Sequence, residues 1–326
     1  MLILTESDLR AVLTMGDVIE AVGEGFRALA NGDATVPERL RLEVPEHNGV
    51  LLEMPAYAGL DGGGALGTKI VTVFEQNTKR GLDVVQATYL LLDSETGVPI
   101  SLMDGRFITA IRTAATSAVA TRLMAAPGPK RLAVFGAGVQ AGFHIEAMIE
   151  VAEVEQVIIA SRSVDKARAL ADRVRVAHDL PCEVVSAKQA ADTADLICTC
   201  TSSPVPLFDG RLLKAGAHIN AVGAFTPSTR ELDSEAVRRA RVVIDAESAA
   251  GREAGEILMP ISEGAIDSSH VRGTLAEVVS GKVAGREAPS EITLFKSCGL
   301  AIEDLVTARL AYARASAGGV GTRVEL

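Results

Sequence analysis

Tryptophan is missing from this chain of 326 residues, and aromatic residues as a whole make up only 3%. Base-stacking platforms are hard to build from so few rings. Basic charge is short as well: 42 Asp and Glu outnumber 32 Lys and Arg, and the formal net charge of -10 repels phosphate backbones. Both shortages argue against a nucleic-acid partner. No apolar run has the length needed to cross a bilayer, and Met1-Leu2-Ile3-Leu4-Thr5-Glu6 meets an acid too early for a signal peptide, so no membrane partner is expected. Cysteine is scarce too. Cys182, Cys198, Cys200 and Cys298 do not make a disulfide framework in a chain of this length. Cys198 and Cys200 fall on one side of an apolar strand with no histidine nearby, which reads as packed core thiols rather than a metal site. A reducing cytoplasm fits this usage, and no metal is expected.

What is present is ordinary for a globular protein with room for two domains: 48% hydrophobic and 23% charged residues. Residues 17–30 place Val18, Val22, Phe26 and Leu29 on one helical face, and Asn31-Gly32-Asp33 ends that helix. Strand-like stretches follow at 39–44, 50–54 and 66–74. Two more, at 87–92 and 99–103, flank the turn Asp93-Ser94-Glu95-Thr96-Gly97 and read as a hairpin. Without helical crossovers these pieces predict an antiparallel or mixed sheet. A helix over 107–125 then runs into Ala126-Pro127-Gly128-Pro129, a clear break.

Beyond the break strand and helix alternate. Strands read at 132–135, 157–160, 183–185, 195–200, 218–222 and 242–245. Helical faces lie between them, such as Ile145, Met148, Ile149 and Ala152, or Ala167, Leu170, Ala171 and Val174. Buried strands with helical crossovers predict an α/β fold with a doubly wound parallel sheet. A last helix over 300–315 is expected to return to the first domain.

The turn Gly136-Ala137-Gly138-Val139-Gln140-Ala141 joins the first of these strands to a helix. A tight turn needs a glycine at Gly136, close approach of a pyrophosphate needs another at Gly138, and Ala141 is small enough for helix-on-strand packing. The helix start offers unpaired N–H groups to an anion. The alternative is a glycine loop that caps a helix and binds nothing. The end of the next strand chooses the cofactor. An acid there would take the ribose 2′-hydroxyl of NAD, but the sequence reads Ala160-Ser161-Arg162-Ser163. A guanidinium with two hydroxyls suits a 2′-phosphate, so NADP(H) is expected, with NAD(H) as the alternative if Arg162 only stacks on adenine.

Several stretches outside the turn resemble the ornithine cyclodeaminase/μ-crystallin family across nearly the whole chain. They are Gly67-Thr68-Lys69-Ile70-Val71, Met103-Asp104-Gly105, Arg112-Thr113-Ala114-Ala115, Phe135-Gly136-Ala137-Gly138, Arg230-Glu231-Leu232-Asp233 and Phe295-Lys296-Ser297-Cys298-Gly299-Leu300-Ala301. The resemblance implies a discontinuous α+β substrate-binding and dimerisation domain over 1–125 and 300–326, with a Rossmann domain over 126–299 between them. It also implies a homodimer. Family members include cyclodeaminases, alanine dehydrogenases, imine or ketimine reductases and a thyroid-hormone-binding crystallin, so membership does not fix the reaction.

Amino and imino acids share an α-carboxylate, for which arginine has bidentate geometry. By resemblance Arg112 and Arg41 form the clamp. Arg112 interrupts a small, apolar helix, where a charge is costly unless it meets an anion; Arg41 reads equally as a surface charge on an edge strand. Lys69 lies in an apolar, β-branched strand, and a buried lysine has a lowered pKa suited to proton transfer. The alternative for Lys69 is an exposed edge-strand lysine. Glu53 is a candidate pocket acid or a solvated strand residue. By resemblance Thr113 touches cofactor phosphates, and Thr201, Val222, Gly223 and Ser297 are further cofactor candidates. Cyclodeaminases carry an aspartate where this chain has Phe225, which can neither accept a proton nor pair with an ammonium. Val84-Val85-Gln86 also departs from the histidine many relatives have before the glutamine. The expectation is an NAD(P)H-dependent reductase of small α-imino acids, cyclic ketimines such as pyrroline- or piperideine-2-carboxylate. Its rivals are ornithine or lysine cyclodeamination, an alanine-dehydrogenase-like activity, and a crystallin-like NADP-binding carrier of a small ligand.

Overall fold

The computed structural model describes residues 1–325, and residues 249 and 250 by their backbone alone. The chain divides into two compact units. One comprises Met1–Thr116 together with the chain from Leu300 onward, the other Ser117–Gly299. In chain order the first unit carries β1 (Leu2–Leu4), α1 (Glu6–Val12), α2 (Met15–Asn31), β2 (Ala34–Thr35), β3 (Leu40–Val44), β4 (Gly49–Ala58), β5 (Ala65–Phe74), β6 (Val85–Leu92) and β7 (Pro99–Asp104). The helix α3 (Gly105–Met124) contains the division point. The second unit holds β8 (Lys130–Phe135), α4 (Val139–Val151), β9 (Val154–Ala160), α5 (Val164–His178), β10 (Cys182–Val184), α6 (Ala187–Thr193), β11 (Leu196–Thr199) and β12 (His218–Ala221). It continues with α7 (Ser234–Arg239), β13 (Ala240–Ile244), α8 (Glu247–Arg252), α9 (Gly255–Ser262), β14 (Val271–Thr274), α10 (Leu275–Val279) and β15 (Ile292–Lys296). The helix α11 (Ala301–Gly318) and the strand β16 (Thr322–Arg323) belong to the first unit again.

The first unit is built on a mixed sheet in the order β16-β1-β7-β6-β5-β4-β2, with β3 also on β4. The hairpin at 93–97 is present, and β4 to β7 run antiparallel. The short β1, absent from the sequence reading, joins β7 in parallel. Alternation along β4 sends Leu52, Met54, Ala56 and Ala58 to one buried face. That face carries α11, which packs on β4, β5 and β6 and on α2. Close packing explains Gly25 of α2: a Cβ there would stand 3.1 Å from both Ile302 and Val306 of α11. Thr14 caps α2 by accepting from the Asp17 amide, and Gly32 ends it at φ +82°. The opposite sheet face carries Glu53 but leaves large apolar side chains open: Leu40, Leu42, Tyr57 and Ile70 are between 42% and 54% exposed.

The second unit is a parallel sheet in the order β10-β9-β8-β11-β12-β15-β13-β14. From β8 the chain first winds outward through β9 and β10, then crosses to β11 and winds the other way. The carboxyl ends of β8 and β11 therefore border a topological switch point, the place where open α/β sheets take ligands. The apolar strand β15 enters out of sequence order, between β12 and β13. Among the described residues no helix is long and apolar enough to cross a membrane. No His, Cys, Asp and Glu group among them is arranged to hold a metal ion.

Candidate active site

In the second unit the dinucleotide turn sits at the carboxyl end of β8. Gly136 adopts φ +114°, and a Cβ there would stand 2.6 Å from the Cys200 carbonyl oxygen. Glycine is thus a requirement of the backbone itself. Gly138 is different. Its φ of -92° is open to any residue, and a Cβ there would meet nothing within 4 Å. The space beside it is open, as a close approach by a pyrophosphate requires. Gly138 is also the N-cap of α4 and has no side chain to satisfy the first-turn amides, which stay available to an anion. Ala137 is half-buried, Val139 is exposed, and the buried Gln140 Oε1 has no hydrogen-bond partner. An open cradle, uncapped amides and an orphaned acceptor all fit a dinucleotide.

Neighbouring strand ends are fixed by buried carboxylates that sequence reasoning passed over. Glu231 accepts from the Thr199 hydroxyl, the Thr201 amide and hydroxyl, and the Gly223 amide, each at 2.7 Å. It ties the end of β11 to the end of β12. Gly223 has no room for a side chain, since a Cβ would stand 2.1 Å from the Thr201 carbonyl oxygen. Burial raises the Glu231 pKa, and the hydroxyl donors oppose that shift. The Glu231 amide donates to Glu256 at 2.8 Å, and Glu256 lies 3.1 Å from the Lys296 ammonium at the end of β15. Lys296 also donates to the Ala224 carbonyl, next to Phe225. Asp245 accepts from Ser297 Oγ at 3.2 Å, from the Gly299 amide at 2.6 Å and from the Cys298 amide. Val222 follows β12 and is half-buried, while Phe225 is 36% exposed in the loop beyond it. At the end of β9, Ser161 is half-buried, and Arg162 and Ser163 are exposed. Arg162 makes no ion pair among the described residues.

In the first unit Lys69 occupies the middle of a row that runs across the buried sheet face: Met54, Lys69, Tyr89 and Met103 lie in register. Lys69 is the one charge in this apolar row and is 1% exposed. Its Nζ donates to both oxygens of Asp304, at 2.9 and 2.7 Å. Arg112, from α3, is 5% exposed; its Nε donates to the same Asp304 at 3.0 Å and its Nη1 to Glu303 at 2.5 Å. Both acids come from the first turn of α11, and Glu303 also accepts from the Leu300 amide at 3.0 Å. The sequence signal for them was an acidic pair in the first turn of a helix.

Burial pushes the Lys69 ammonium down, the Arg112 charge adds to this, and Asp304 pulls it back, leaving a pKa of about 8. Burial also disfavours the charged Arg112, but Asp304 and Glu303 more than offset it and hold the guanidinium above its ordinary value. Lys69 and Arg112 are thus brought together through Asp304. Arg41 lies on the Lys69 side of the sheet, opposite Leu52, but is exposed and paired with Glu43 at 2.7 Å. Glu53 points to the other face, because it stands in register with Leu40 and Ile70. Thr113 on α3 donates its hydroxyl proton to the Thr109 carbonyl at 2.7 Å, which leaves its oxygen as an acceptor.

A switch-point turn with an open phosphate cradle, in a chain that also buries a lysine of near-neutral pKa beside an arginine, defines a nicotinamide-dependent oxidoreductase. The chain belongs to the ornithine cyclodeaminase/mu-crystallin family, whose model matches residues 1–319. It is 38% identical to the Delta(1)-pyrroline-2-carboxylate reductase of Bacillus cereus over 100% of both chains. The solved structure of the Thermococcus litoralis Delta(1)-pyrroline-2-carboxylate reductase, in complex with NADH and L-proline, is 42% identical. It superposes with a TM-score of 0.96 over 99% of this chain and 100% of that one. An archaeal alanine dehydrogenase dimer with bound NAD is 32% identical, with a TM-score of 0.94 over 100% of this chain and 99% of that one.

Proposed function

We propose that this protein reduces small cyclic α-imino acids, ketimines of the pyrroline- and piperideine-2-carboxylate class, to the corresponding cyclic amino acids. The observation that carries the reading is the buried pair of Lys69 and Arg112, a proton donor of near-neutral pKa beside a permanently charged guanidinium. When bound, the nicotinamide supplies a hydride to the imine carbon. The C=N π pair then moves to nitrogen, which takes a proton from Lys69 Nζ. Two of the three ammonium protons are committed to Asp304, and the third serves the substrate. Arg112, whose Nε is given to Asp304 and Nη1 to Glu303, holds the substrate carboxylate through the outer edge of its guanidinium. Arg41, from the same side of the sheet, adds a second cation for that carboxylate.

For the cofactor, the turn residues Gly136 to Gln140 cradle the pyrophosphate. Thr201, Val222, Gly223 and Ser297, at the neighbouring strand ends, would add further contacts to the cofactor. Ser161, Arg162 and Ser163 support a preference for NADP(H), because a guanidinium without a carboxylate partner stands where a 2′-phosphate needs one. Phe225 supports a substrate without a distal amine and speaks against cyclodeamination. The open sheet face with Leu40, Leu42, Tyr57 and Ile70 supports a homodimer through the first unit, in keeping with the dimer formed by the archaeal alanine dehydrogenase. The test is to mix the protein with NADPH or NADH and a panel of cyclic and linear imino acids. Oxidation is expected with the cyclic ketimines; none with any of them would sink the reading.

A further inference from the structure

We propose that Asp304 is a positioning residue for the reduction: it aims the Lys69 ammonium and sets the pH above which Lys69 no longer donates a proton. The proposal rests on the reading of the protein as an imine reductase with Lys69 as proton donor.

The geometry separates the two acids of α11 by role. Asp304 takes Lys69 on both oxygens and shares one of them with Arg112 Nε. Glu303 takes Arg112 Nη1 and caps the helix through the Leu300 amide. The charged and titratable groups facing Lys69 are Asp304 and Glu303 from α11, Arg112 from α3, and the Tyr89 hydroxyl from the cross-strand neighbour on β6. Burial and the Asp304 charge both raise the Tyr89 pKa, so its phenol stays neutral and adds no charge to the site. Arg112 disfavours the ammonium, and Glu303 reaches it only at a distance. Asp304 is therefore the group in contact that keeps Lys69 protonated in a setting where burial works against it. Two fixed hydrogen bonds also leave the ammonium one free proton and one direction in which to give it.

The proton count closes. Hydride adds to the imine carbon and the nicotinamide is oxidised. The nitrogen gains the Lys69 proton, and Lys69 becomes a neutral amine that solvent reprotonates. Asp304 keeps its bond to Arg112 Nε throughout, so its carboxylate is never stranded in the interior. A purely structural pair that fastens α11 to the sheet would make Glu303 and Asp304 equivalent, both acting on stability alone.

The experiment compares the wild type with Asp304→Asn and Glu303→Gln in two measurements: the pH profile of kcat/KM for Delta(1)-pyrroline-2-carboxylate, and the titration of Lys69 followed by NMR of 13C-labelled lysine. With Asp304→Asn the alkaline limb is expected to move toward acid by about one pH unit, a tenfold loss of kcat/KM above it, with KM for the nicotinamide unchanged. The Lys69 resonance should titrate lower by the same amount. Glu303→Gln should raise KM for the imino acid and leave the limb in place. If Asp304→Asn does not fold, Asp304→Glu keeps the charge while altering its reach, and should lower kcat with KM for the nicotinamide unchanged. Wild-type kcat in that variant would overturn the assignment. So would a Lys69 resonance that titrates alike with and without the Asp304 charge, or limbs that move equally in both amide variants. The NMR arm needs no turnover, so a protein that reduced no imine would refute the functional reading and still leave the hold of Asp304 on Lys69 measurable.

Discussion

Two glycines of one turn should respond to the same substitution in opposite ways. Gly136→Ala forces a side chain onto a backbone at φ +114° and drives its Cβ to 2.6 Å from the Cys200 carbonyl oxygen. A non-glycine residue in such a region costs about 1–3 kcal/mol before the clash is relieved. At about 2–4 °C per kcal/mol for a unit of this size, the melting temperature should fall by on the order of 5 °C. Gly138→Ala adds the same methyl group where φ is -92° and nothing lies within 4 Å. The ligand-free protein should melt within about 1 °C of the wild type, since an unstrained, uncrowded site removes both sources of cost. The loss should appear on binding. If the open space is where the pyrophosphate approaches, the affinity for NADH should fall about 10- to 100-fold, or about 1.4–2.8 kcal/mol. Thermal melts without ligand, followed by fluorescence titration with NADH, separate the two effects. A Gly138→Ala protein that binds NADH as tightly as the wild type would refute the assignment of that space. One that melts as early as Gly136→Ala would refute the claim that the protein itself leaves it open.

Three further outcomes are expected. Arg162→Ala should weaken NADPH binding about tenfold or more and NADH binding little, as loss of a charged contact to one phosphate predicts; equal losses would remove the 2′-phosphate assignment. Burial holds His144 neutral down to about 4 and His218 down to about 3, so the unfolded chain takes up protons first. Stability present above about pH 6.5 should fall as pH drops toward 4, by up to about 1.4 kcal/mol per pH unit for each histidine. Urea midpoints that stay constant across that window would contradict it. Leu42→Arg puts a charge opposite Leu51 on the open sheet face and should convert a dimer to monomers in sedimentation runs without lowering NADH affinity. A dimer that survives Leu42→Arg would place the interface elsewhere.

What could be read in the sequence was whatever local pattern encodes. The hairpin at 93–97, the end of α2 at Gly32 and the strand–turn–helix at Gly136 each announce themselves within a dozen residues. The parallel sheet of the second unit followed from alternation of apolar strands with helices. Asp304 and Glu303 could not be read that way. Acids in a first turn look like ordinary complements to a helix dipole, and their partners Lys69 and Arg112 lie 235 and 191 positions away. Glu231 lies in Arg230-Glu231-Leu232-Asp233, a stretch that resembles the family, but has no visible task until the ends of β11 and β12 come together. Glu53 illustrates a finer limit. Its strand was evident, but which face it takes depends on a register that one residue of slip would invert. The strand β15 was missed because its place between β12 and β13 follows from no neighbour in sequence.

The supply of both carboxylates by α11 has a consequence for how the chain is made. Lys69 and Arg112 leave the ribosome early, and the whole of the second unit is translated before Asp304 appears. Until then the two cations cannot be enclosed without stranding charge in an apolar interior, which costs several kcal/mol per ion. The charged centre of the first unit therefore cannot close until α11 is made, by which point every strand of the second has been translated. A chain interrupted before α11 would have every strand of the second unit and neither carboxylate for Lys69 and Arg112. Enclosure of Lys69 and Arg112 thus depends on translation having passed α11.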